Sequence, residues 1–383
     1  MTAHALLGAS SAHMWLHCTP SARLCENMPD RAGKAAAEGT LAHEIAALKL
    51  QKYFTPMSPK AYTARMNKLK KQELYQDEMQ GYTDEYLEYI KEIATGLPSA
   101  PCVAIEQRVD YSTYAPGGFG TADCILLHGD TLWVIDFKYG TGVPVEAVEN
   151  EQMRLYALGA LHEYSILYNI KQVVLTIFQP RNGGAKAWET TADEIVAWGI
   201  GFVKPRAELA DKGEGDFCPS EDVCRFCRAN AQCRARANKN LELLGYDFAA
   251  PNLLTNKDIG VILEKAQDLQ GWVKDIQEYA LKETLCGREV PGWKAVEGRS
   301  NRAFRDVDAA FAKLIDAGID RELLYVRNPI TLTATEKLVG KKQFEELLAD
   351  EIEKPKGKPT LVKQDDKRPS YSTAADDFKE EIQ

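Results

Sequence analysis

The sequence predicts a mixed α/β fold, a sheet of parallel and antiparallel strands flanked by helices. Three β-rich runs follow one another at 102–112, 121–130 and 131–140, each bounded by Gly, Pro or Asp. A stretch of helical periodicity at 146–168 comes next, and then the apolar run "QVVLTIFQP" at 172–180. A helix lying between strands implies a crossover, and with it a mixed sheet rather than an all-β fold.

The elements are justified in chain order. Residues 1–30 read as a short helix around "SSAHMWLHC" and a loop, and "AAAEGTLAHEIAALKLQKYF" (35–54) has apolar residues at helical spacing. The charged amphipathic stretch 60–96 reads as one or two helices, with Gly81 marking a break. "HGDT" between the second and third β-rich runs is a tight-hairpin signal. Pro180 ends the next strand, and an amphipathic helix covers about 191–212. Beyond the cysteine-rich segment, 255–285 and 305–350 read as mainly helical, joined by the strand-like connector "REVPGWKAVEGRSNRAF". From about 353 the chain is rich in Lys, Asp, Pro and Ser and reads as an extended or disordered arm. The expected division is 1–245, 246–352 and 353–383.

Composition narrows the classes. Hydrophobic residues make up 45% of the 383 positions and charged residues 27%, as in a globular protein with a substantial core. The net charge of −9 excludes a protein that is basic throughout, but a local basic groove in an acidic protein can still hold nucleic acid. No run of about 18 apolar residues is present, so no membrane span is expected. The opening "MTAHALLGASSAHMWLHC" lacks the basic start of a signal peptide. Nine cysteines, an odd number without an export signal, argue against a secreted disulfide framework and for a reducing cytoplasm.

The chemistry-bearing residues gather at strand ends. Asp136 and Lys138 close the apolar run "TLWVIDFKYG", and Asp123 follows "GFGTA" at the start of the neighbouring run. If these runs form a hairpin, Asp123 and Asp136 lie near the same end of adjacent strands, where two carboxylates repel unless a divalent cation sits between them. Mg²⁺ suits such oxygen ligands, and Lys138 would stabilise charge developing on a phosphate. Taken alone, "DFK" reads first as a solvent-facing ion pair at a strand end, with Asp123 a turn residue. Gln152 and Tyr156, at i and i+4, share one face of the following helix. His43 lies inside the helix 35–54, where a lone histidine is ordinarily a core or surface residue.

Together, His43, "GTAD" ending in Asp123, "DFK" and "QMRLY" resemble the motif set of the PD-(D/E)XK nuclease superfamily, RecB-like branch. The resemblance extends along most of the chain to phage and prophage proteins of that branch. It implies an αβββαβ core with a helical insert at about 60–96 and a mainly helical C-terminal region. It makes His43, Asp123 and Asp136 metal ligands, with the Phe137 carbonyl a further one. Lys138 becomes the catalytic lysine, and Gln152 and Tyr156 contacts to the nucleic-acid strand. Glu106 is placed in an outer shell.

"CPSEDVCRFCRANAQCRARA" carries Cys224, Cys227 and Cys233 as C-x2-C-x5-C, with Cys218 six residues earlier. On spacing alone, these four suit one Zn²⁺, or three of them with a distant cysteine suit an iron–sulfur cluster. RecB-like nucleases of the AddB and CRISPR-adaptation type hold a 4Fe–4S cluster with one N-terminal cysteine and such a trio. The resemblance therefore implies Cys18, Cys224, Cys227 and Cys233 as ligands, with Cys218 a rival and Cys25 a weaker one. Such a staple would close a loop of about two hundred residues. Arg225, Arg228, Arg234, Arg236 and Lys239 form either a solvated basic face or a phosphate-contacting patch.

The function this implies is a Mg²⁺- or Mn²⁺-dependent deoxyribonuclease, an exonuclease or end-processing enzyme serving phage DNA replication or recombination in the bacterial cytoplasm. Its substrate would be single-stranded DNA or duplex ends. Its partners would be a recombination protein, a single-strand-binding protein or a helicase, since no G-x-x-x-x-G-K-[ST] is present. The alternatives are a non-catalytic nucleic-acid-binding scaffold of the same fold and a zinc-containing regulatory protein.

Overall fold

The computed structural model describes residues 5–29, 33–241, 256–296, 306–325, 331–348 and 351–352. The chain divides into two compact units, Met1–Val296 and Glu297–Gln383.

The first unit is built on a five-stranded mixed sheet in the order β1-β2-β3-β4-β5. Its strands are β1 (Cys102–Asp110), β2 (Phe119–His128), β3 (Thr131–Phe137), β4 (Gln172–Gln179) and β5 (Gly184–Thr191). Pairing is antiparallel except between β3 and β4, which run parallel. The β2–β3 turn has Gly129 at φ 60°, a left-handed conformation that a tight hairpin needs and glycine adopts without a Cβ penalty.

Helices cover both faces. In β3, Leu132 and Val134 join one core with Trp15 of α1 (Ala12–His17) and Leu155 and Leu158 of α6 (Glu151–Tyr164). Ile135 and Phe137, on the opposite face, join a second core with Leu41, Ile45 and Leu48 of α3 (Lys34–Phe54) and Tyr86 and Ile90 of α5 (Glu78–Gly96). This two-sided burial is why β3 reads as a continuous apolar run. α2 (Ser21–Cys25) follows α1, and α4 (Pro59–Lys70) lies between α3 and α5.

Three local expectations change. The break in 60–96 falls between α4 and α5, not at Gly81, which lies inside α5. The intrinsic cost of a helical glycine, about 1 kcal/mol, is outweighed there by burial of Met79, Thr83, Tyr86 and Ile90. A fifth strand, β5, adds to the predicted αβββαβ order. "GAKAWETT" is an edge strand that exposes Ala185, Ala187 and Glu189 and turns only one large apolar side chain, Trp188, inward, so it carries no apolar run to detect. The helix expected at about 191–212 is α7 (Ala192–Trp198), a π-helical turn at Gly199–Val203, and α8 (Lys204–Lys212). A Thr191–Glu194 capping box starts it.

The unit continues through α9 (Glu221–Arg225), α10 (Arg234–Leu241) and α11 (Asn256–Leu285). Arg236 of α10, only 2% exposed, pairs with Asp268 and Asp275 of α11 at 3.0 and 2.6 Å. After α11, the described residues of the predicted strand-like connector contain one isolated bridge, Val290 to Trp293. The second unit contains α12 (Val307–Asp316), α13 (Leu332–Val339) and α14 (Lys341–Leu348), with Asp306 and Thr331 capping the first two. The arm predicted from 353 lies outside the described residues. No described helix is long and apolar enough to cross a membrane.

Candidate active site

The carboxylates meet where strand pairing lapses. The β2–β3 ladder ends at Cys124 opposite Ile135, so Asp123 and Asp136 are the first residues beyond it. The β1–β2 ladder is interrupted between Ile105–Cys124 and Gln107–Ala122, which sets Glu106 opposite Asp123. Glu106 adopts φ 51°, rare for a residue with a Cβ, and such strain is stored where surrounding structure holds it. Glu106, Asp123 and Asp136 therefore form a row across three strands. In place of a ladder bond, the Phe137 amide donates to Asp123 Oδ2 at 2.7 Å.

His43 reaches this row from α3. Its Nδ1 lies 3.1 Å from Asp123 Oδ1, and its ring meets that of Phe137 edge-on at 5.4 Å. His43, Glu106 and Asp123 each bring a ligand atom to within 4.8 Å of the others, a set able to hold a metal ion. Glu106, assigned to an outer shell, thus belongs to the cluster itself. Counting the hairpin register would have found it.

Asp136 is 2% exposed. Lys138 Nζ forms an ion pair with its Oδ2 at 2.8 Å. Two carboxylates held side by side, one of them buried, repel unless cations neutralise them, and a hard divalent ion does so with oxygen ligands. Burial raises the Asp136 carboxyl above the usual range, more than Lys138 lowers it. Asp123 also suffers burial, yet His43 and the Phe137 amide hold it below that range. Burial of the Glu106 carboxyl, with Asp123 beside it, raises it to about 7, although its side chain still reaches solvent. For His43 burial acts downward, but Asp123 outweighs it and lifts the ring to about 8.

Gln152 links this cluster to α6. Its Oε1 accepts from Lys138 Nζ at 3.2 Å, and its Nε2 donates to the Tyr156 hydroxyl at 2.9 Å and lies 3.5 Å from Asp136 Oδ1. Tyr156, expected at the nucleic-acid surface, is only 5% exposed and packs in the core. Its hydroxyl holds Gln152, so its place is behind the site rather than on its surface. Phe137, whose carbonyl is the expected further donor, is fully buried, and its amide also meets the cluster.

A second grouping lies around one small pocket lined by Cys18, Cys224, Cys227 and Cys233, with Met14 and Phe217. The first three cysteines are buried, Cys233 is half-buried and Cys218 is exposed. Cys25, the weaker rival, is buried and places its Sγ 3.6 Å from that of Cys227. No three of the described cysteine sulfurs form a set within 4.8 Å. The proposed arginine patch is smaller than its sequence. Arg236 is consumed by α11, Arg228 is half-buried and donates to the Met28 carbonyl, and Lys239 donates to that of Pro219. Arg225 and Arg234 remain exposed, with Arg225 3.4 Å from Glu221.

The architecture is a mixed α/β sheet with a histidine–carboxylate–lysine cluster spanning the middle of β1 and β2 and the end of β3. Residues 4–369 match the family described as "Protein of unknown function (DUF2800)", and the chain belongs to that family. Among solved structures, it is similar to SSO0001 at 15% identity over 51% of this chain and 83% of that one, with a TM-score of 0.25. It is also similar to an alkaline exonuclease (LHK-Exo) from Laribacter hongkongensis at 14% identity, over 45% and 91% of the two chains, with a TM-score of 0.24.

Proposed function

We propose that the chain is a metal-dependent deoxyribonuclease with a PD-(D/E)XK, RecB-like core. The observation that carries this reading is the row of Glu106, Asp123 and the buried Asp136 across three neighbouring strands, with His43 on Asp123 and Lys138 paired to Asp136. His43, Glu106, Asp123 and Asp136 would hold Mg²⁺ or Mn²⁺, with the Phe137 carbonyl as a further donor. A bound cation supplies Lewis acidity toward the phosphodiester and a water acidic enough to attack it. Lys138 remains ammonium, because Asp136 outweighs the effect of burial, and it places positive charge where phosphate charge develops. Gln152 orients that ammonium, and Tyr156 fixes Gln152. The setting in phage DNA replication or recombination rests on the motif resemblance.

The same reading assigns a 4Fe–4S cluster to Cys18, Cys224, Cys227 and Cys233, where it would tie the N-terminal segment to the end of the core. The donor set supports this, since four thiols line one pocket. A single zinc ion with bonds of ~2.3 Å draws its sulfurs closer together than this open arrangement.

The test is incubation of the full chain with labelled single- and double-stranded DNA and Mg²⁺ or Mn²⁺, beside Asp136→Ala. Hydrolysis by the wild type alone supports the proposal. Equal degradation by both, or none by either, overturns it.

A further inference from the structure

We infer that His13, His17 and Glu151 form a second cation site, suited to a borderline transition ion such as Zn²⁺. It is separate from both the carboxylate row and the cysteine pocket. His13 and His17 stand one turn apart on α1, with ring centroids 4.6 Å apart. Glu151, the first residue of α6, meets each ring with a different oxygen. Oε2 lies 3.0 Å from His13 Nδ1 and Oε1 lies 2.8 Å from His17 Nε2. The three groups bring ligand atoms within 4.8 Å of one another. Two imidazoles and one carboxylate form a donor set that borderline divalent ions take, with water completing the coordination.

A second, independent contact points the same way. The other ring nitrogen of His13, Nε2, lies 3.2 Å from Asp222 Oδ2 on α9. Asp222 is itself held, with Ser220 Oγ donating to its Oδ1 at 2.5 Å. A carboxylate on the far nitrogen is the partner that fixes the tautomer and orientation of a ligating histidine. A surface His–Glu pair does not require it. Both rings are partly exposed, which leaves a route for the ion and room for water.

The site joins three elements, α1, α6 and, through Asp222, α9. Its position gives it a role. His17 directly precedes Cys18 and Glu151 directly precedes Gln152. An ion there would lock the N-terminal segment to the helix that carries Gln152.

The test uses Co²⁺ alone on the full chain, then displacement by Zn²⁺. The expected result is one equivalent bound in addition to any held by the carboxylate row, with visible bands of nitrogen–oxygen coordination and no thiolate-to-cobalt charge transfer, which excludes the cysteine pocket. Asp136→Asn should keep that equivalent, which excludes the carboxylate row. His17→Ala and His17→Gln should lose it, and Asp222→Asn should weaken it by about 10- to 100-fold. Circular dichroism of each variant in chelator shows whether it folds. Should the His17 variants not fold, the Asp222→Asn affinity decides. The inference is overturned if folded His17 variants bind Co²⁺ with the same spectrum, if Asp136→Asn abolishes the bands, or if Asp222→Asn leaves affinity unchanged.

Discussion

Gly120 lies against the ring of Tyr156, so closely that a Cβ on it would stand 2.5 Å from Tyr156 Cε1 and 3.2 Å from Ala9 Cβ. This close approach explains the glycine three residues before Asp123. β2 must pass the tyrosine that holds Gln152, and no side chain fits between them. Gly120→Ala is expected to destabilise the fold by about 1–3 kcal/mol through overpacking. It should also reduce DNA hydrolysis by displacing Tyr156 from Gln152, though it alters no charged group. Denaturant unfolding and a nuclease assay check both effects. Wild-type stability in the variant would refute the contact.

The carboxylate row should respond to a hard cation. At 100 times its dissociation constant, Mn²⁺ should stabilise the wild type by about 2.7 kcal/mol through mass action. Asp136→Asn should lose this gain in a thermal unfolding experiment. Lys138→Met should keep most of it and still lose about 10²- to 10³-fold in hydrolysis, as expected for removal of a group that stabilises developing charge. A lysine variant that cleaves DNA at the wild-type rate would remove Lys138 from the chemistry.

For the cysteine pocket, anaerobically purified wild type should be brown and contain iron. Cys18→Ser should be colourless, whereas Cys218→Ser, altered at an exposed thiol outside the pocket lining, should retain iron. Chelation of the iron should lower the unfolding temperature, because a metal bound only by the folded chain contributes to folding. Zinc in place of iron in the wild type would reject the cluster.

Lys49 of α3 is 4% exposed, and its Nζ donates to the Gln80 carbonyl at 2.7 Å and to Asp84 at 2.5 Å. Burial lowers its pKa by more than Asp84 raises it. Between the folded value and the ordinary lysine value, the unfolded chain binds more protons. Stability contributed by this residue therefore rises with pH across that window, and the cost of the buried charge is full below it. Lys49→Met removes the buried charge and leaves Asp84, which already reaches solvent, so the variant should compare best with the wild type near neutral pH. Its stability relative to wild type should fall in alkaline solution. Urea unfolding at both pH values measures this, and a loss of several kcal/mol in the variant would show that the ion pair dominates.

Much of the fold was legible because hydrophobic periodicity is a local signal. The three consecutive strands, the HGDT hairpin and the crossover helix each announce themselves within about ten to twenty residues. Their order sufficed to predict a mixed sheet, and the hairpin sufficed to bring Asp123 beside Asp136, although β2 begins at Phe119 and Asp123 lies mid-strand rather than at its start. β5 escaped because an edge strand needs only one apolar face. Gly81 misled because a glycine's helix cost is small against four buried neighbours.

What the sequence by itself determined is the set of elements and the chemistry placed on them: His43 on a helix, Asp123 on one strand, Asp136 and Lys138 at the end of the next, and Gln152 and Tyr156 on one helical face. Tertiary structure decided which of these groups meet. Packing put Glu106 into the row with Asp123, withdrew Tyr156 into the core and tied Arg236 to α11. It gathered Cys18 with Cys224, Cys227 and Cys233, and set His13 and His17 against Glu151. The reason is physical. Periodicity reports which face of one element is buried, but contacts between residues a hundred or more positions apart depend on how those faces close against each other.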